Sequence, residues 1–228
     1  MMRCYNFLLT LFTFFFHLCG CKVYHIVPSL NSSCPQESCQ TISQFAAQIS
    51  SGNDSNITLV LLPGDHYLET PLIATELEYL RMTKERSLDQ DTSLQDNHTT
   101  SILCGSSGRF EITMTSSVSI AGVHFIGCGN NAVTQINEFI LEHSIFQGME
   151  STGTALNFTR VTNASIVRSR FLSNVNGMNY FDTDYFTTFR SGGALFVSRS
   201  TLTITESCLL YTSPSPRDAT LSRMPSSA

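Results

Sequence analysis

Val118-Ser-Ile120-Ala-Gly-Val123-His-Phe125 returns as Phe139-Ile-Leu141-Glu-His-Ser144-Ile-Phe146, as Ala164-Ser-Ile166-Val-Arg-Ser169-Arg-Phe171, and as Leu202-Thr-Ile204-Thr-Glu-Ser207-Cys-Leu209. In every copy two apolar residues alternate across a strand, and a large apolar residue follows the second after five positions. A phrase that returns in one internal order is a structural repeat. Leu141 follows Ile120, and Ile166 follows Leu141, at similar intervals; Ile204 follows Ile166 at a longer one, which holds an insertion. A second phrase accompanies the first: Gly153-Thr-Ala-Leu-Asn-Phe158 matches Gly192-Gly-Ala-Leu-Phe-Val197. One unit therefore contains more than one strand.

Short strands joined by corners, in units of about 20 to 25 residues, can stack in parallel with each unit lying over the last. Ile120, Leu141, Ile166 and Ile204 would then form one inward ladder. Phe125, Phe146, Phe171 and Leu209 would form another, with Val123, Ser144, Ser169 and Ser207 as a column of small corner residues between them. A β-sandwich would instead require hairpin signals at short, regular intervals, and it does not explain a recurring phrase. The expected fold class is all-β, a right-handed parallel β-helix with a short N-terminal capping helix.

Upstream of the repeat, Thr41-x-x-Gln44 has capping-box form, and Ile42, Phe45, Ala46 and Ile49 share one helical face. Its position before the first strand suggests a lid on the end of the β core. Thr58-Leu-Val-Leu-Leu is a strand broken at Pro63-Gly64, with a second strand entering at Tyr67. From Glu76 to Asp96 charged residues crowd together, with little alternation beyond Tyr79-Leu-Arg-Met82. That segment reads as a solvated excursion.

The N-terminus sets the compartment. Arg3, the apolar run Phe7–Phe16 and the small residues around Cys19-Gly-Cys21 have the order of a secretory signal peptide over residues 1–21. The run is about 12 residues, where a spanning helix needs roughly 20. No second such run follows, so a secreted or cell-surface protein without membrane insertion is expected. Six Asn-x-Ser/Thr sequons, at Asn31, Asn53, Asn56, Asn97, Asn157 and Asn163, agree with an extracellular glycoprotein. Net charge of -5 gives no basic footprint for nucleic acid. Cysteine usage fits an oxidising compartment. Cys34 and Cys39 are expected to pair, because a metal site at that spacing needs further ligands that do not follow. Cys104 and Cys128, about one unit apart, could bridge or remain two buried thiols.

The Pro63-Gly-x-x-Tyr67 first unit, Cys104-Gly, Arg109-Phe110, Phe125-x-Gly-Cys128-Gly, Gly192-Gly-Ala-Leu195 and the Ser-x-Phe corners resemble secreted right-handed parallel β-helix proteins of the pectin-lyase-like class. More narrowly, they resemble the large animal surface proteins built from that fold. The resemblance covers about residues 30 to 207. Residues 22–57 read as an N-terminal cap of disulfide loop and helix, followed by an incomplete β-helix over 58–207. Residues 208–228 depart from the pattern and resemble translated adapter sequence. They read as a non-native tail, with further coils expected beyond 207 in the native protein.

Enzymatic members of the class act on acidic polysaccharides, by Ca2+-assisted elimination or through paired carboxylates. Here the only acids between 117 and 175 are Glu138, Glu142 and Glu150, and none recurs in ladder register. The corner serines lack a recurring His and acid, and the histidines read as surface residues. No catalytic residue and no cofactor is expected. Asp182 and Asp184, in the insertion 176–190, are the weak metal candidates, since two oxygen donors fall short of the six to eight or so that Ca2+ takes. Tyr180, Tyr185, Phe186 and Phe189 in the same insertion form a candidate ligand loop for extracellular glycans or surface proteins. The expectation is a structural or recognition module; the alternative is a carbohydrate-active enzyme whose catalytic coils follow the present sequence.

Overall fold

The computed structural model describes residues 21–29, 39–49, 54–85, 100–148, 154–174 and 193–210. From Asn56 to Leu210 the described residues make repeated circuits, laying one strand in each of three sheets per circuit. The first circuit is β3 (Asn56–Leu61), β4 (Gly64–Leu68) and β5 (Leu72–Thr75), and the second is β6 (Tyr79–Lys84), β7 (Thr100–Cys104) and β8 (Phe110–Thr113). The third is β9 (Ser117–Ala121), β10 (His124–Ile126) and β11 (Asn131–Thr134), and the fourth β12 (Glu138–Glu142), β13 (Ile145–Gln147) and β14 (Leu156–Thr159). The fifth is β15 (Asn163–Val167), β16 (Arg170–Leu172) and β17 (Leu195–Ser198), followed by β18 (Leu202–Thr205) and β19 (Cys208–Leu210). The last described strand, β19, pairs in parallel with β16.

Every strand pair among the described residues is parallel, and each strand lies on its counterpart one circuit earlier. The first sheet pairs Ile120 with Leu141, Leu141 with Ile166 and Ile166 with Ile204. The second pairs Phe125 with Phe146, Phe146 with Phe171 and Phe171 with Leu209. Both inward ladders have the register expected from the repeat. The second phrase is also in register, with Leu156 beside Leu195 and Phe158 beside Val197 in the third sheet.

The core fills the space between the three sheets. Phe125 and Phe146 stack at 4.6 Å between ring centres, and Phe146 and Phe171 at 5.2 Å, with interplanar angles of 12° and 7°. Such rings combine large apolar burial with favourable offset stacking. The inward side chains of one strand lie directly over those of the strand before, so a one-residue slip would turn the whole set outward.

One end of the stack is closed. Helix α1 (Ile42–Ile49) buries Ile42, Phe45 and Ala46, and its capping box is complete: the Thr41 amide donates to Gln44 Oε1 at 2.9 Å, and the Gln44 amide to Thr41 Oγ1 at 3.3 Å. The helix packs on β4 and β5. Its Ser43 hydroxyl donates to the Tyr67 carbonyl at 2.7 Å and accepts from the Glu69 amide at 3.4 Å. A side chain thus satisfies backbone groups of a sheet edge that would otherwise be open. The first sheet is continued instead by β1 (Lys22–Ile26) and β2 (Cys39–Gln40), both parallel. The cap therefore contains two strands as well as the expected helix.

Two further readings change. Tyr79–Lys84 is a strand of the first sheet, paired on both sides, with Leu80 and Met82 inside. Outward Arg81 and the charged sequence around it mask the alternation. The strand after Pro63 begins at Gly64 rather than Tyr67, so His66 and Leu68 turn inward and Tyr67 is 60% exposed.

Candidate functional site

Because the inside is apolar, any recognition must use what the three sheets turn outward. The outer face of the first sheet carries Ser117, Glu138 and Asn163 in one column, and Ser119, Ile140, Ser165 and Thr203 in the next. A third column holds Ala121, Glu142, Val167 and Thr205. The third sheet presents an unbroken hydroxyl ladder of Thr75, Thr113, Thr134, Thr159 and Ser198. The second sheet differs: Tyr67, Leu103, Ile126, Gln147, Leu172 and Leu210 share its outer edge column, and all six are half-buried or exposed. Sequence reading concentrated on the recurring inward residues and missed this apolar edge.

The first sheet holds a shallow groove of about 370 Å³ across β12, β15 and β18. Its walls include Glu138, Glu142, Asn163 and Thr203, with Ile140 and Ser165 between them. Glu138 Oε2 accepts from the Ser117 hydroxyl at 3.1 Å. Glu138 and Glu142 point the same way from one strand but are four residues apart, about 13 Å along the backbone. Paired glycosidase carboxylates sit closer, within about 9.5 Å. Among the described residues no three His, Cys, Asp or Glu side chains are grouped to hold a metal ion.

Of the sequons, three fall on described strands. Asn157 and Asn163 lie on outer faces, each with its Ser or Thr two residues on and turned the same way, because a strand alternates with period two. Thr159 donates to Asn157 Oδ1 at 3.2 Å. Asn56 donates its Nδ2 to Glu78 Oε2 at 3.0 Å. Asn31, Asn53 and Asn97 lie outside the described residues, as do Asp182, Asp184, Tyr180, Tyr185, Phe186 and Phe189.

Cys104 and Cys128 form a disulfide with Cα atoms 4.9 Å apart, joining successive circuits where the second sheet turns toward the third. Cys39 is disulfide-bonded as well; Cys34 lies outside the described residues. His66 corrects the surface reading of the histidines: it is 0% exposed, and its Nε2 lies 2.8 Å from the Leu62 carbonyl. It occupies the position in the second-sheet ladder that Ile102 and the phenylalanines hold above it. His124 and His143 remain at the surface, His143 at a corner with φ of 48°.

Ionic groups cluster at the capped end and at the first corner. The Asp54 carboxyl is held below the usual carboxylate range chiefly by its hydrogen bond with Lys22, at 2.6 Å. Tyr24, desolvated and donating to Asp54 at 2.8 Å, is pushed up to about 12. Arg168 and Glu206 pair at 2.7 Å in the open, where an ion pair contributes little.

No helix among the described residues is long and apolar enough to cross a membrane. The chain matches no protein-family model, no curated protein and no solved structure.

Proposed function

We propose that this chain belongs to a right-handed parallel β-helix of the secreted, pectin-lyase-like kind and acts as an extracellular structural or recognition module. The observation that carries the reading is the division between inside and outside. The recurring residues pack the core, while the outer faces of two sheets are lined with hydroxyls, amides and carboxylates and include strand-borne sequons at Asn157 and Asn163. Such a rigid, polar surface suits contact with glycans or other surface proteins more than sequestration of a small molecule. A leader over residues 1–21 and N-linked glycans are part of this proposal.

Expression in a secreting eukaryotic host tests it. Recovery from the medium, N-terminal sequencing showing loss of the leader, and glycopeptides at the outward sequons are expected. Retention in the cytosol without glycans would overturn it. A second reading, as part of a carbohydrate-active enzyme, draws support only from the long parallel sheet, since Glu138 and Glu142 are too far apart to act as a glycosidase pair. Turnover of a uronate polymer by the purified protein would favour that reading.

A further inference from the structure

We propose that the groove on the outer face of the first sheet is the seat of an N-linked glycan carried by Asn163, resting on the glycoprotein reading above. Asn163 is itself part of the groove wall and is exposed. In its sequon, Ala164 is 3% exposed and turned inward, while Ser165 lies on the same outer face as Asn163. A sugar attached at Asn163 Nδ2 leaves the chain already at the groove mouth.

The lining suits a sugar ring. Ile140, half-buried and paired with Ser165 in the sheet, offers an apolar patch for the C–H face of a pyranose. Glu138 and Glu142 stand on either side of Ile140 along β12 as hydrogen-bond acceptors, and Ser165 and Thr203 supply hydroxyls that both donate and accept. A volume of about 370 Å³ takes the first one or two sugars and leaves the rest in solvent. The contact does not have to be strong. A short tether holds its ligand at an effective concentration on the order of mM, so an interaction too weak to capture free sugar still keeps the tethered one seated.

The modification itself balances simply. Asn163 Nδ2 displaces the diphosphate from C1 of a diphosphate-activated oligosaccharide; the N–C bond forms, the C–O bond breaks, the diphosphate leaves, and the amide gives up one proton. Once seated, the glycan closes the groove to a polymeric ligand, so the carboxylates of this face hold the protein's own sugar.

The test uses the full chain secreted from a eukaryotic host, with Asn157, on the outer face of the third sheet, as internal control. Site occupancy is measured by glycopeptide mass spectrometry, then release by peptide-N-glycosidase is timed for each site, native and denatured. Release from Asn163 is expected at least 10-fold slower than from Asn157 in the native protein, with equal rates after denaturation. Ile140→Ser, a change on the outer face, should bring native release at Asn163 to within about twofold of Asn157. The C1 proton of the first sugar should also shift in the native NMR spectrum relative to the denatured one. An occupied Asn163 released as fast as Asn157, or an empty Asn163 beside an occupied Asn157, overturns the seat and leaves the glycoprotein reading intact. Both sites empty overturns the two together.

Discussion

The amide of Ser144 donates to the hydroxyl of Ser169, one circuit later, at 3.2 Å, and the same hydroxyl donates to the Val167 carbonyl at 2.9 Å. The relation repeats. The Val123 amide donates to Ser144 Oγ at 3.3 Å, and that of Ser169 to Ser207 Oγ at 3.1 Å. Just before each of these positions stands a residue of positive φ: Gly122, His143, Arg168 or Glu206. That left-handed residue bends the chain, and the following amide turns away from the ladder and needs an acceptor. The seryl hydroxyl of the next circuit supplies it. The serine column is therefore a hydrogen-bond ladder as well as a column of small residues.

Ser169→Ala should accordingly cost about 1–3 kcal/mol, the desolvation cost of leaving the buried Ser144 amide without its acceptor. Ser119→Ala, on the outer face of the first sheet, should change stability by less than about 0.5 kcal/mol. Urea unfolding of the two variants checks the contrast, and equal effects would refute the ladder.

Asn131 does similar work where the second sheet turns toward the third. Fully buried, it donates Nδ2 to the Cys128 and Ala155 carbonyls at 2.6 and 2.7 Å and accepts from the Phe110 amide at 3.0 Å. One side chain thereby links three circuits. Asn131→Leu removes every partner at once and should cost about 3 kcal/mol or more. Asn131→Asp keeps the acceptor but places a carboxylate against two carbonyls, so it should be no better than leucine near neutral pH and should recover part of the loss in acid. Thermal unfolding at two pH values decides this.

How much of this was legible in the sequence depends on whether a residue repeats. Ile120, Phe125 and their counterparts recur because each circuit has to bury the same positions, so register and ladder order could be read directly. The capping box at Thr41 and Gln44 is local, and it too was legible. Tyr79–Lys84 was not, because Arg81 faces solvent and the segment runs on into charged sequence. Asn131 was missed because its three partners are backbone groups from different circuits, and a single buried amide leaves no period. The groove likewise arises from side chains of β12, β15 and β18, far apart in sequence and brought together only by stacking.

Gly108 marks the tightest approach of the corner between β7 and β8. A Cβ there would collide with the Leu68 carbonyl oxygen and fall 3.0 Å from Cys104 Cα, both fixed backbone atoms. Gly108→Ala should cost about 1–3 kcal/mol through the forced shift. At Gly105 the nearest such atom is 3.7 Å away, in ordinary contact, so Gly105→Ala should be tolerated. Comparison of denaturant midpoints tests the pair; similar midpoints would mean that the corner yields easily.

His66 gives the molecule a pH dependence whose sign follows from burial. The imidazole is 0% exposed, and desolvation holds its pKa below the usual histidine value. The Leu62 and Val27 backbone and the neighbouring Asp65 oppose that shift only in part. In the unfolded chain the group titrates near its ordinary value of about 6.5. Below that pH the unfolded state takes up a proton that the folded state resists. Stability from this residue is therefore constant above about pH 7.5 and falls as the pH drops through 6.5 and lower, by at most about 1.4 kcal/mol per pH unit. Asp54 acts in a separate window, since its carboxyl is lowered and its contribution is lost only as the pH falls through the carboxylate range. His66 lies in the first circuit, where α1 closes the stack, so acid should loosen that end before the stacked phenylalanines. Urea midpoints between pH 7.5 and 5 should decline in the wild type and flatten in His66→Leu, whatever that variant's absolute stability. Hydrogen exchange should show the loss of protection at pH 5.5 concentrated in α1, β4 and β5; uniform loss along all three sheets would show that His66 does not control it.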